Sequence, residues 1–562
     1  MSGISKIKTI FILTLLLLPF LSFAQTESFN VDPSYDLFSR QEIAAELIRT
    51  TSNLYFYVER TWWDSLSSQE QNEVRLAVFD LGEEFQNRIY PILTSNFGSI
   101  PEPGIDGDER ITVLIHQMRQ DAGGYFNSGD VYSRLQVPRS NQREMVYLAS
   151  SRINSSAAKG ALAHEFLHLI TINQKDLLRR VTEEVWLNEA RAEYAPTLLG
   201  YDNVYSGSNL EKRVAAFLDT PTVSLTEWSN TRADYGAVNL FAQYLVDHYG
   251  KRILTDSLQS SKVGIASLEE ALQKQAVQKS FSQVFAQWAV ALLVNDCRIG
   301  EKYCYLSQNL LNLRIVPTLY FIPRTATILS TVHGTKPWGA NWHKFVGGES
   351  SLDLKFEGRS QASFEVPYVL CDKQNRCSVN FISLDTQQKG RLTVADFSQR
   401  YNALTIIPFV KSKTEGFNGE GTTFTFSWEI SVDQNVQEDD ELRNQLLARI
   451  AQLQEQLRAL QAQIAELEGR AGPLLGSCQR FNNNLFFGMR NNAEVSCLQE
   501  FLKTEGVYPE GLVTGNFLSL TQAAVARFQE KYASGILAPL GLQQGTGYVG
   551  AATRAKINEL LE

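Results

Sequence analysis

The sequence predicts a multidomain α+β protein, and three observations carry that expectation. Its 562 residues exceed what one hydrophobic core normally spans. The texture changes near residue 326 from mixed helical and strand patterns to short alternating runs, and a heptad run occupies 436–469. At ~150 residues per domain, three or four modules are expected. Hydrophobic residues make up 44% and charged residues 20%, the balance of folded protein rather than of a disordered or fibrous chain. With 52 Lys+Arg against 61 Asp+Glu the net charge is −9, which argues against a nucleic-acid partner.

The first 24 residues read as a secretory signal. Lys6 and Lys8 precede an apolar run from Ile10 to Phe23, and a small residue, Ala24, closes it. The run is shorter than the ~20 residues a membrane-spanning helix needs. No Cys follows the expected cut, so a lipid anchor there is not supported. A secreted, extracellular protein is expected. The six cysteines fall into local pairs, Cys297/Cys304, Cys371/Cys377 and Cys478/Cys497, which suit disulfides in an oxidising compartment.

Residues 25–325 mix Trp- and Leu-rich helical patterns with strands. Residues 326–434 carry period-two runs such as Ser363-Phe364-Glu365-Val366 and Thr423-Phe424-Thr425-Phe426, separated by Gly and Asn turns, and predict a small β-sandwich. In the heptad run, Leu446, Ile450, Leu453, Leu457, Leu460, Ile464 and Leu467 step alternately by four and three, the seam of a coiled coil. A homodimer and a monomeric helical stalk both fit that seam. Gly469-Arg470-Ala471-Gly472-Pro473 then breaks the helix.

The last zone, 474–562, echoes itself. Thr514-Gly515 precedes Thr521, and Thr546-Gly547 precedes Thr553 at the same interval, with each second Thr placed to cap a helix. Together with Glu494 to Leu502, the turn Tyr508-Pro509-Glu510-Gly511, and Ala526-Arg527-Phe528-Gln529, this zone resembles the small helical peptidoglycan-binding-like domain at the ends of many bacterial wall enzymes. The resemblance implies attachment to peptidoglycan or the cell wall.

The sharpest chemical signal is Ala163-His164-Glu165-Phe166-Leu167-His168. Histidines four apart stack on one helix face, so both imidazoles reach one ion, and Glu165 stands beside the first as a candidate general base. Zinc suits this pair. Apolar residues Ala161, Leu162, Phe166, Leu169 and Ile170 predict a buried helix, where two imidazoles need polar partners. Downstream, Val185-Trp186-Leu187-Asn188-Glu189 offers a carboxylate 21 positions after His168, far enough for the chain to return on a second helix. Glu183 and Glu184 are rival carboxylates; placement at a helix start also accounts for them.

A His-Glu-x-x-His helix followed by an Asn-Glu helix resembles the gluzincin zinc peptidases. The Trp-Leu-Asn-Glu wording, with Gly123-Gly124-Tyr125-Phe126 and Ser140-Asn141, is most similar to their hyicolysin-like branch. The resemblance implies a zincin-like metallopeptidase domain with His164, His168 and Glu189 as zinc ligands and Glu165 as general base. It also implies Glu193 and Asn188 as hydrogen-bonding partners of the ligand imidazoles, and a Tyr or His after the third ligand as oxyanion donor. Tyr235 is the candidate for that donor and His248 the weaker rival; an ordinary half-buried aromatic is the alternative reading of Tyr235.

Two further stretches bear on function. Met145-Val146-Tyr147-Leu148-Ala149 is either a sheet edge that pairs with an extended substrate or an internal strand. Asp106-Gly107-Asp108-Glu109 clusters oxygen donors that suit Ca2+, although it departs from the EF-hand pattern and a solvated acidic turn is the better explanation. The expectation is a zinc-dependent endopeptidase acting on protein or peptide substrates. The alternatives are a hydrolase of peptidoglycan stem peptides and a non-catalytic surface adhesion or scaffold protein.

Overall fold

The computed structural model describes residues 26–120, 122–323, 328–348, 351–359, 361–411, 423–432, 480–508, 511, 513–540, 542 and 544–561. The expected signal segment, the heptad run and Cys478 lie outside these residues. The chain is multidomain, with mixed helix and sheet, and divides into two compact units, 1–437 and 438–562.

The first unit opens with β1 (Thr26–Asn30), β2 (Glu42–Thr50), β3 (Leu54–Glu59), α1 (Arg60–Ser65), α2 (Ser68–Glu84) and α3 (Tyr90–Phe97). Then come β4 (Ile111–His116), β5 (Gly124–Tyr125), β6 (Met145–Ala149), α4 (Ala157–Ile172), α5 (Val185–Leu198) and α6 (Asn209–Asp219). A helical run follows in α7 (Arg232–Tyr249), α8 (Arg252–Leu258), α9 (Gly264–Lys274) and α10 (Phe281–Val294). The six strands form one sheet in the order β1-β2-β3-β4-β6-β5, with β3, β4 and β6 parallel and β5 antiparallel at the edge.

Period-two alternation decides which side chains meet the helices. Leu54, Phe56, Val58, Ile111, Val113, Ile115, Val146 and Leu148 join one core with α2, α3, α4 and the helices beyond. Tyr57, Leu114, Met145 and Tyr147 point the other way, into a second core with Phe29, Val31 and Ile43. Buried on both faces and flanked by β4 and β5, β6 is an internal strand rather than a sheet edge. A strand flanked on both sides has no free N–H and C=O row to offer a peptide.

The remaining strands are β7 (Thr318–Ile322), β8 (Ile328–Thr335), β9 (His343–Gly347), β10 (Leu352–Gly358), β11 (Phe364–Glu365) and β12 (Pro367–Asp372). They continue with β13 (Cys377–Phe381), β14 (Lys389–Val394), β15 (Tyr401–Ile406), β16 (Phe409–Val410) and β17 (Phe424–Val432). Sheets β14-β10-β17-β8 and β13-β12-β15-β9-β7 enclose a shared core of Phe345, Leu354, Phe356, Leu404, Phe426 and Trp428. Because β7 pairs with β9, this architecture begins ahead of residue 326. Trp338 and Phe409 pack on Phe285 of α10, and the Trp342 indole donates to the Ala289 carbonyl at 2.9 Å, so the strands and helices share packing. Disulfides link Cys297 to Cys304 and Cys371 to Cys377, and Cys497 is also disulfide-bonded.

The second unit holds α11 (Ala493–Thr504), α12 (Ser519–Lys531), α13 (Ala533–Ile536) and α14 (Ala551–Leu561) around Val495, Leu498, Phe517, Val525, Phe528 and Ile557. The echoed threonines do not cap. Thr521 and Thr553 sit at the third helical position, where each hydroxyl bonds a buried glutamine, Gln499 at 2.8 Å and Gln529 at 2.9 Å. Those buried amides need partners more than the helix ends do, because solvent does not reach them.

Candidate metal centre

The geometry starts from two packed helices. α4 is buried along most of its length, and its last turn runs without a break into a π-helical turn, Asn173–Leu177. α5 crosses it and carries Asn188, Glu189 and Glu193. His164 and His168, one turn apart, turn their Nε2 atoms to within 3.2 Å of each other. Glu189 brings Oε2 to 3.3 Å from His164 Nε2 and Oε1 to 3.6 Å from His168 Nε2. Among the described residues, this is the group of His, Cys, Asp or Glu side chains whose ligand atoms converge, all lying within 4.8 Å of one another.

The outer contacts orient these rings. His168 Nδ1 lies 3.0 Å from Asn188 Oδ1; an Nδ1–H donated to that oxygen leaves Nε2 as a lone pair facing the cluster. His164 Nδ1 lies 3.5 Å from Glu193 Oε1. Glu193 is itself fully buried and is clamped by Arg213, at 2.6 and 2.9 Å, with Asn209 donating at 2.9 Å and Asn239 at 3.2 Å. The Arg213 clamp and the two asparagines had no signal in the sequence. Arg213 follows Glu193 by 20 positions on another helix, and only the packing of α6 on α7 brings it in. Gly236 permits that packing: a Cβ there would stand 2.5 Å from the Arg213 carbonyl.

Glu165 lies beside the ligands under the edge strand. A Cβ on Gly124 of β5 would meet the Tyr147 carbonyl at 2.6 Å and Glu165 Cγ and Oε1 at 3.2 Å, so the strand can run this close only with glycine. Burial pushes the Glu165 carboxyl up to about 8, with Glu189 and Glu193 acting in the same direction and His164 against it. Phe126 stacks on His168 at 6.3 Å.

The donor set fits a divalent cation of borderline softness. Two imidazoles and one carboxylate are the ligand types zinc takes at sites with an open position. Glu189 Oε2 is buried and lacks a partner of hydrogen-bond geometry, an arrangement that a cation satisfies. Three carboxylates, the buried Glu165 and Glu193 and the partly buried Glu189, share this space, and Arg213 answers Glu193, so added positive charge is favourable.

The other candidates find other partners. Glu183 accepts from Arg191 at 2.8 Å and from the Gly264 amide at 2.7 Å, and lies 3.3 Å from Lys175 Nζ. Glu184 accepts from the Trp186 indole at 2.8 Å. Neither joins the imidazoles. His248 Nε2 lies 2.8 Å from the Cys304 carbonyl, which ties that ring to the disulfide loop. Asp108 is held by Arg110 and Tyr55, each at 2.9 Å, and the 106–109 turn gathers no third ligand among the described residues. Ser140 and Asn141 anchor their loop: Asn141 donates to Tyr147 Oη at 2.8 Å and the Ser140 hydroxyl to the Tyr132 carbonyl at 2.5 Å.

Tyr235 is half-buried on α7. Its ring meets Trp228 edge-on at 4.8 Å and lies under the Arg213 guanidinium at 4.6 Å, and its hydroxyl donates to Asn230 at 3.1 Å. Burial raises its pKa, and the Glu189, Tyr35, Glu165 and Glu193 charges add to the rise, so the phenol stays protonated and able to donate.

Comparison with known proteins finds two partial similarities. The chain is 30% identical over 243 residues to the neutral metalloprotease ShpI of Staphylococcus hyicus, covering 38% of this chain and 52% of that protein, about half its length. Among solved structures that match, two align about a fifth of the chain. A pre-peptidase C-terminal domain of collagenase from Bacillus anthracis matches at 8% identity and a TM-score of 0.15, over 20% of this chain and 96% of that one. A mitogen from Yersinia pseudotuberculosis matches at 13% identity and a TM-score of 0.14, over 20% and 92%. Residues 491–557 match the family described as "Putative peptidoglycan binding domain". The chain is thus similar over part of its length to a neutral metalloprotease, and it ends in a domain of the peptidoglycan-binding family.

Proposed function

We propose that the protein is an exported, zinc-dependent endopeptidase with a zincin-like catalytic domain, held near the cell wall by its C-terminal unit. The observation that carries this reading is the convergence of His164, His168 and Glu189 on one point with a buried, unsatisfied carboxylate oxygen. Zinc, when bound there, supplies Lewis acidity and lowers the pKa of water toward neutrality.

The chain's own residues do the rest. An extended substrate pairs with edge strand β5, which brings its scissile carbonyl over α4. Glu165 takes the proton from the attacking water as the new C–O bond forms. It then returns that proton to the amine as the C–N bond breaks, so no covalent enzyme intermediate is needed. Tyr235 donates a hydrogen bond from its hydroxyl to the oxyanion in place of the one it gives Asn230, and keeps its proton. Asn188 and Glu193 hold the imidazoles in the ligating tautomer.

Zinc analysis and casein hydrolysis test this together. Wild-type protein should bind one equivalent of zinc and cleave casein, and His168→Ala should lose both. A zinc-loaded Glu165→Gln variant that still cleaves casein at the wild-type rate refutes the assigned base. Cleavage of peptidoglycan stem peptides is a second reading, favoured by the match at 491–557 alone. Equal digestion of casein and of isolated stem peptides would decide for the wider specificity.

A further inference from the structure

We propose that Phe486 and Tyr548 form an exposed aromatic pair in the C-terminal unit that stacks against the sugar rings of an N-acetylhexosamine strand. The inference deepens the wall-binding reading above and rests on it. Phe486 is 49% and Tyr548 42% exposed, and their rings lie 6.3 Å apart and within 26° of parallel. The C–H bonds on one face of a pyranose carry partial positive charge, and they suit the electron-rich face of an aromatic ring.

The backbone beneath the two rings is locked. Leu485 and Val549 bridge antiparallel, with hydrogen bonds of 3.3 and 2.9 Å, so the residues next to them, Phe486 and Tyr548, emerge side by side. Gln529, 2% exposed, accepts from the Gly547 amide at 2.9 Å and donates to the Tyr548 carbonyl at 2.8 Å. An exposed ring on an immobilised backbone loses little entropy when a ligand settles on it.

The internal echo shows that packing does not require an aromatic there. Gln499 holds Thr514, Gly515 and Asn516 in the way Gln529 holds Thr546, Gly547 and Tyr548. In that first copy the position equivalent to Tyr548 is Asn516, whose side chain accepts from the Asn491 amide at 3.0 Å. One copy spends the position on its own loop, and the other turns an aromatic to solvent.

The test uses the full-length chain in two arms: sedimentation with purified cell walls, and calorimetric titration with a soluble N-acetylglucosamine oligomer. Wild type should bind in both, and Phe486→Ala and Tyr548→Ala should each weaken binding about tenfold, with unchanged melting temperatures. Tyr548→Phe should bind like wild type, whereas Tyr548→Leu, apolar but not flat, should fall with the alanine variant. Variants that bind both ligands as wild type does overturn the stacking, as does a wild type that sediments with walls but ignores the oligomer. A wild type that binds the oligomer but not walls keeps the stacking and removes the wall-binding reading. Binding to neither overturns both.

Discussion

Helix α5 carries two buried charge clusters with opposite character. On one side Arg191 reaches back to Glu183, and Lys175 completes the group by donating to the Ser257 and Ser260 carbonyls at 2.9 and 3.0 Å. Arg191 also meets the Ser257 hydroxyl at 2.9 Å. There the cations and the carboxylate all have partners, and the side chains are at most 2% exposed. On the other side Glu189 faces two imidazoles with one oxygen unsatisfied, and His164 and Glu189 keep 14% of their side-chain surface. The same helix thus shows what separates a closed ionic group, which fixes the end of α4 against α5, from an open one that can receive a ligand. Exposure and an unmet lone pair mark the difference, because charge is abundant in both.

The comparison can be broken most directly at its open side. Glu165→Gln should lower casein turnover by about 10²–10⁴-fold, the usual contribution of a positioned general base, while zinc content stays at one equivalent. Arg191→Ala attacks the closed side and should lower unfolding free energy in urea by about 3–5 kcal/mol, because it breaks a buried ion pair and leaves Lys175 as the one cation facing Glu183. If Arg191→Ala changed turnover strongly without loss of stability, the division between the two clusters would be wrong. Glu193→Gln weakens the support of His164, and competition with a chelator should show zinc affinity reduced by about 10–100-fold.

The smallest effect concerns another buried carboxyl, Glu144, which accepts from the Ile105 amide at 3.1 Å. Burial pushes its pKa up to about 7 from the ordinary 4.5. The protonated form therefore favours the fold. Its contribution is complete below about pH 4.5 and is lost as pH rises through 7. Glu144→Gln should accordingly flatten that decline, so that the variant gains melting temperature relative to wild type between pH 5 and about pH 8. An unchanged difference across that range would contradict the burial argument.

The sequence by itself determined that His164 and His168 face one way, since four-residue spacing on a helix puts them on one face whatever surrounds them. It also determined the local disulfide pairs Cys297/Cys304 and Cys371/Cys377, whose short loops leave few other partners. The alternation that drew the strands between 326 and 434 is likewise a local property, legible without knowing what the strands pack against. Only the tertiary structure separated Glu189 from Glu183 and Glu184: all three carboxylates lie within seven positions, and the direction of α5 decides which one meets the imidazoles. It alone chose β5 over β6 as the free edge, brought Arg213 under Glu193, and turned the echoed threonines from caps into partners of buried glutamines. Each of these depends on contacts between segments far apart in the chain, and residue spacing along one segment carries no record of what another segment will bring to it.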